Sequence, residues 1–177
     1  MSADSKPLET PNSFPTRPHA ETPLVIVDAS NVALGGRPRG PRARLAFLLD
    51  VVSLVPSPPC EMIILADASL RHRIDDKEGY EKLVDSGMIL QAPAGRSADR
   101  FAALLARRRR SMGQPVYVLT NDLLRENPDL GALRVTFLET SEGEVIFDPP
   151  LPSLAICGSA GKKESFACTE SEAVNDP

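Results

Sequence analysis

Short apolar runs alternate along the chain with segments whose apolar residues recur every three or four positions. Leu24–Val27, Met62–Ala66, Met88–Leu90, Val116–Leu119 and Leu133–Leu138 are wholly or mostly apolar, as strands are when both faces of a sheet are covered. Between the first two, Arg42–Leu54 carries Leu45, Leu48, Leu49 and Val52 on one helical stripe. The polar stretch Ala68–Ser86 reads as mostly helical, with Tyr80, Leu83 and Val84 inward and Gly87 as its C-terminal cap. Ser97 reads as the N-cap of a helix that runs through Phe101, Leu104 and Leu105 to Gly113. A helical turn around Glu126 breaks at Pro128, and Glu144–Phe147 reads as an edge strand or hairpin arm.

Strands that alternate with helices predict an α/β domain with three layers, α/β/α, around a central, mainly parallel sheet of five strands. The ends break the pattern. Pro7, Pro11, Pro15, Pro18 and Pro23 punctuate a polar leader, residues 1–23. Prolines, glycines, serines and glutamates return over a tail, residues 149–177, expected to be mainly disordered. The domain is thus expected over residues 24–148.

Composition adds little to the fold and removes some functions. Hydrophobic residues make up 42%, Trp is absent and aromatics reach only 5%, so the core is expected to be aliphatic. No apolar run approaches the roughly 20 residues that span a bilayer, and the leader has no signal-peptide apolar segment, which makes a cytoplasmic location the expectation. Cys60, Cys157 and Cys168 are widely spaced without a Cys-x-x-Cys pair, and read as free thiols rather than a disulfide framework or zinc site. The net charge is -4, yet the arginines are clustered: Arg37, Arg39, Arg42 and Arg44 in one group, Arg107 to Arg110 in another. The second group falls in the last turns of a helix, where cations complement the helix dipole.

Parallel strands bring their carboxyl ends to one edge, and ligands bind there in open α/β sheets. Asp28, Asp67 and Asp122 follow strands, and Asp99 opens a helix on the same rim. Acids after strands often serve only as helix caps and turn formers. Several together repel one another unless a cation joins them, and hard oxygen donors select magnesium or manganese. Such a metal site activates water for attack on a phosphodiester. Other readings of the first turn lose a residue. Val32 stands where an Asp-x-Ser-x-Ser adhesion site needs its last serine, and Ser30 stands where a haloacid-dehalogenase phosphatase needs its second Asp. No Gly-x-x-x-x-Gly-Lys phosphate loop is present.

Val25-Ile26-Val27-Asp28-Ala29-Ser30-Asn31-Val32 resembles the opening motif of PIN-like ribonuclease domains of the NYN type, including the Regnase-like group. Ser97-Ala98-Asp99-Arg100-Phe101 resembles the internal acidic motif of that family, and Thr120-Asn121-Asp122-Leu123-Leu124-Arg125-Glu126 resembles its Ser-Asn-Asp motif with a further acid. The resemblance covers about residues 24–138. It implies a PIN-like fold and a magnesium- or manganese-dependent endoribonuclease. Asp28, Asp99 and Asp122 would be the main metal-binding carboxylates, Asp67 a further one, and Asn31 and Glu126 their polar support. Regnase-like members carry Asp where this chain has Glu126, often have adjacent acids where it has only Asp99, and in eukaryotes carry a zinc finger that it lacks.

Arg37, Arg39, Arg42 and Arg100 are the candidate RNA-binding residues, since phosphate contacts are commonly made by arginine. Expected partners are an RNA substrate, a second copy of the chain, and a protein recruited through the loose ends, with no membrane. Two alternatives are a PIN-like domain that binds RNA or protein without cutting, and the toxin of a toxin–antitoxin pair.

Overall fold

A computed structural model of the chain describes residues 22–35, 42–57, 59–131 and 133–152. Strand β1 (Leu24–Asp28) is followed by a single helical turn α1 (Ala29–Ala33), then α2 (Leu45–Ser53) and β2 (Glu61–Ala66). A 3-10 turn (Leu70–His72), α3 (Lys77–Asp85), β3 (Ile89–Gln91) and α4 (Ala98–Ser111) come next. The chain continues through β4 (Val116–Leu119), the short α5 (Pro128–Gly131), β5 (Arg134–Glu139) and β6 (Val145–Asp148).

The sheet order is β3-β2-β1-β4-β5-β6. β1 lies between β2 and β4, in parallel register with both, Val27 pairing Ile64 on one side and Leu119 on the other. The first five strands run parallel, and β6 pairs antiparallel with β5, Phe147 opposite Phe137. The sheet therefore has six strands, not the expected five. The residues expected as an edge strand or arm do pair, because Thr140 and Glu144 close a hairpin turn in which Gly143 takes φ 84°.

Alternate residues of β1 serve opposite faces. Val25 and Val27 join the core formed with α1, α2 and Tyr80 of α3, while Leu24 and Ile26 join the core under α4. Helices thus cover both faces. On the α4 side the contacts are small, Ala98, Ala102, Ala103 and Ala106 all being buried, so α4 sits close to the strands that carry the acids.

Two helical readings need correction. The stretch 68–86 splits into the 3-10 turn and α3 because Asp75 and Asp76 act as caps. Asp76 Oδ1 accepts from Gly79 N at 2.8 Å at the start of α3, and Asp75 Oδ1 accepts from Leu45 N at 2.9 Å at the start of α2. Pro128 opens α5 instead of breaking a turn, its fixed φ suiting a first helical position. By contrast, Ser97 does cap α4, its Oγ accepting from Asp99 N at 3.1 Å, and Gly87 follows α3 with φ 77°.

Of the expected tail, residues 149–152 are described, and Leu151 is buried in the core on the α2 face. The rest of the tail, the leader up to residue 21, Cys157 and Cys168 lie outside the described residues; Cys60 is buried and free. Among the described residues no helix is long and apolar enough to cross a membrane.

Candidate functional site

Asp28 ends β1 and caps α1. Its Oδ1 accepts from Asn31 N at 3.0 Å and its Oδ2 from the Thr120 hydroxyl at 2.9 Å. Both oxygens are thereby oriented, one from α1 and one from the turn after β4. Burial pushes the Asp28 carboxyl up to about 6; the bonds from Asn31 and Thr120 oppose the rise, and the charges of Asp99 and Asp67 add to it.

Asp67 directly follows β2. Its backbone N–H donates to Ser30 Oγ at 3.0 Å, and its Oδ1 accepts from Ala98 N at 2.8 Å. It therefore ties α1 to the start of α4, where a negative charge also suits the helix dipole. Asp99, half-buried in the first turn of α4, is pushed up by burial and then by the charges of Asp67, Asp122 and Glu126. Asp99 thus lies within reach of acids from both β2 and the turn after β4.

The turn after β4 completes the arrangement. Thr120, fully buried, donates to Asp28 and accepts from Asp122 N at 3.1 Å. Asp122 Oδ1 accepts from Leu124 N at 2.9 Å, while Arg134 Nη1 donates to the Asp122 carbonyl at 3.2 Å. Leu124 takes φ 48°, an uncommon conformation for a side-chain-bearing residue, and is held in it by burial under α4 and by Asn127 N donating to its carbonyl at 2.8 Å. Asn31 Oδ1 accepts from Asn121 N at 2.8 Å, and Asn121 pairs through its own amide with both Phe137 N and Phe137 O on β5. The turn is thus fastened to α1 and to β5. A cleft of about 490 Å³ opens beside it, lined by Asn31, Asp99 and residues 121–127.

All five expected acids, Asp28, Asp67, Asp99, Asp122 and Glu126, therefore meet on one edge of the sheet, with Asn31 among them. They do not close into a coordination shell: among the described residues no group of three or more His, Cys, Asp or Glu side chains is placed to hold a metal ion. The donor set still suits one. It is all oxygen, mutually repelling, and magnesium commonly binds through one or two carboxylates while keeping its waters.

The expected RNA-binding arginines are divided. Arg37 and Arg39 lie outside the described residues. Arg100 is exposed beside Asp99. Arg42 lies near Asp75, whose carboxyl is held below the ordinary range first by the Leu45 N–H, with Arg42 a lesser cause; Arg42 does not line the cleft. In the second cluster Arg109 pairs with Glu61 at 2.8 Å and Arg107 with Asp129 at 3.3 Å, both structural.

Residue-by-residue reading passed over Thr120, Asn121 and Arg125. The Thr120–Glu126 motif points in sequence only to its acids; the fold sets Thr120 between two aspartates, bonds Asn121 to Phe137 of β5 and puts Arg125 in the cleft wall. A scan against protein-family models gives no match, and a search of the curated proteins gives none either.

Proposed function

We propose that this chain is a magnesium- or manganese-dependent endoribonuclease with a PIN-like, three-layer fold. The observation that carries the reading is the convergence of Asp28, Asp67, Asp99, Asp122 and Glu126 on one sheet edge, with the Asp28 and Asp99 carboxyls raised by burial and, to a lesser degree, by neighbouring acids. Like charges so gathered lower stability unless a cation offsets them, so the arrangement is suited to a ligand rather than to the fold alone. Support for the fold comes from the parallel order β3-β2-β1-β4-β5 with helices on both faces.

Asp28, Asp99 and Asp122, with Asp67 beside them, would hold the metal. When bound, magnesium or manganese supplies an acidified water and charge stabilisation for the leaving oxygen of a phosphodiester. The chain's own residues set the geometry. Thr120 fixes Asp28 in one rotamer and holds Asp122 N at the same point. Among the described residues the Asn31 Nδ2 makes no hydrogen bond, which leaves it free to donate to a phosphate oxygen in the cleft. Glu126 is long enough to reach the metal through a water, and Arg100 and Arg125 supply cations for the backbone.

The test is cleavage of labelled single-stranded RNA with manganese, with chelator, and by Asp28→Asn. Loss in the second and third supports the reading; equal cleavage in all three removes it. A non-cleaving RNA- or protein-binding domain is the second reading, favoured by the open spacing of the acids. RNA retained in a gel shift without metal-dependent cleavage selects it.

A further inference from the structure

A second, smaller recess lies on the other side of the start of α4, and the proposed function leaves it without a role. Its floor is Leu65, Ala92 and Ala98, and its walls are Leu90, Pro93 and Phe101. Leu90 is 48% exposed and Phe101 37%, large apolar surface that the fold does not cover. The volume is about 170 Å³, below the roughly 300–1,000 Å³ of sites that enclose a whole small ligand. It is open to solvent, with one aromatic lining residue, Phe101.

The recess shares lining residues with the acidic edge. Ala98 lines it, and the Ala98 N–H is the group that Asp67 Oδ1 accepts from. Leu65 and Ala98 also line the narrow gap that reaches Asp28 and Asp99. Two cations lie in the chain segments that line it: Arg100 between Ala98 and Phe101, and Arg96 between Pro93 and Ala98, its N–H donating to the Pro93 carbonyl at 3.0 Å. Both are exposed, and neither makes an ion pair among the described residues. An occupant that matches is apolar and able to stack on an aromatic ring, carries anionic groups next to that part, and is joined to whatever lies over Asp28 and Asp99.

We infer that this recess takes one unpaired nucleobase of a single-stranded RNA, stacked on Phe101, with its flanking phosphates at Arg96 and Arg100. The inference rests on the ribonuclease reading and specifies its substrate: a base next to the cut must be out of a duplex. Stacking on an aromatic ring is tolerant of base identity, so the recess selects single strands rather than a sequence. A peptide strand or helix would need a longer groove than this volume provides.

The experiment uses the full chain with chelator present, so that binding is read without cleavage. Fluorescence anisotropy of a labelled single-stranded RNA is measured for the wild type, Phe101→Ala, Phe101→Tyr and Leu90→Ala, with circular dichroism to confirm that each variant is folded. Phe101→Ala is expected to weaken binding about 5- to 100-fold, the loss of one stacked base, and Phe101→Tyr to restore it. Leu90→Ala, on a different element, weakens it less. Replacing successive bases by abasic positions lowers wild-type affinity at one position and leaves Phe101→Ala unaffected there. Wild-type cleavage with unchanged affinity in folded Phe101→Ala and Leu90→Ala overturns the inference and leaves the ribonuclease reading intact. A wild type that neither binds nor cleaves RNA overturns both. Binding of a labelled acidic apolar peptide that Phe101→Ala abolishes and unlabelled RNA does not displace assigns the recess to a protein partner, and also overturns it.

Discussion

Thr120 Oγ1 donates to Asp28 Oδ2 at 2.9 Å across 92 residues of sequence, and the same oxygen accepts from Asp122 N. One hydroxyl thus links the Asp28 carboxylate to the backbone of the turn that carries Asp122. Thr120→Val keeps the volume and removes the hydroxyl, leaving the Asp122 N–H and an Asp28 carboxylate oxygen, both part-buried, short of a partner, at a cost of about 1–3 kcal/mol. It should also raise the Asp28 carboxyl further, since the Thr120 bond opposes the rise. Thr120→Ser should behave as wild type in both thermal unfolding and the pH profile of metal binding.

Asp28 itself is expected to weaken the metal-free fold. Its carboxyl rises from the ordinary 3.8 to about 6 on folding, so the folded state favours the protonated form. That contribution is present in full below 3.8 and is lost as pH rises through about 6, a difference of up to about 3 kcal/mol. Asp28→Asn, measured with chelator, should therefore be more stable than wild type at neutral pH and gain little near pH 4. Chemical denaturation at the two pH values checks this; a destabilised Asp28→Asn at neutral pH would show that the Thr120 and Asn31 bonds outweigh the burial.

Metal affinity should follow the same titration. A cation binds the ionised carboxylate, so protons compete with it as pH falls through about 6. Calorimetric titration with manganese on either side of that value should show weaker binding and fewer released protons on the acid and neutral sides respectively. Magnesium should raise the melting temperature at neutral pH and lose this effect in Asp28→Asn.

Asn31 holds the 121–127 turn as well as lining the cleft, because its Oδ1 accepts from Asn121 N. Asn31→Ala should speed amide exchange at Asn121 and Leu124 and lower cleavage, while Asn31→Asp keeps the acceptor and leaves exchange slow. Unchanged exchange in Asn31→Ala would mean that the Asn121 clamp on Phe137 suffices alone.

At the opposite end of the sheet, buried Gln114 donates to the Thr22 carbonyl at 2.8 Å and to Glu61 at 3.1 Å, and accepts from Arg109 at 3.3 Å. Gln114→Leu should cost about 1–3 kcal/mol of stability, since it leaves the Glu61 and Arg109 groups short of partners. Cleavage per folded molecule should not change, which separates damage to the fold from damage to the site.

The alternation of apolar runs and helical stripes was enough to place β1, β2, β4 and α4 and to make the sheet mainly parallel, because strand and helix periods are local properties of the chain. The parallel edge that gathers Asp28, Asp67, Asp99 and Asp122 followed from topology alone. What depended on tertiary structure was the use of each polar group. Asp75 and Leu45 are distant in sequence, and their hydrogen bond starts one helix while Asp76 starts the next; no local pattern contains that pairing. The sixth strand needed β5 as its partner, since Val145–Asp148 is half-exposed and too short to stand without one. Asp67 emerged as a cap for α4 as well as an acid of the site, and Thr120 as the link between two others, because a hydrogen bond depends on positions in space that only the packed sheet and helices bring together.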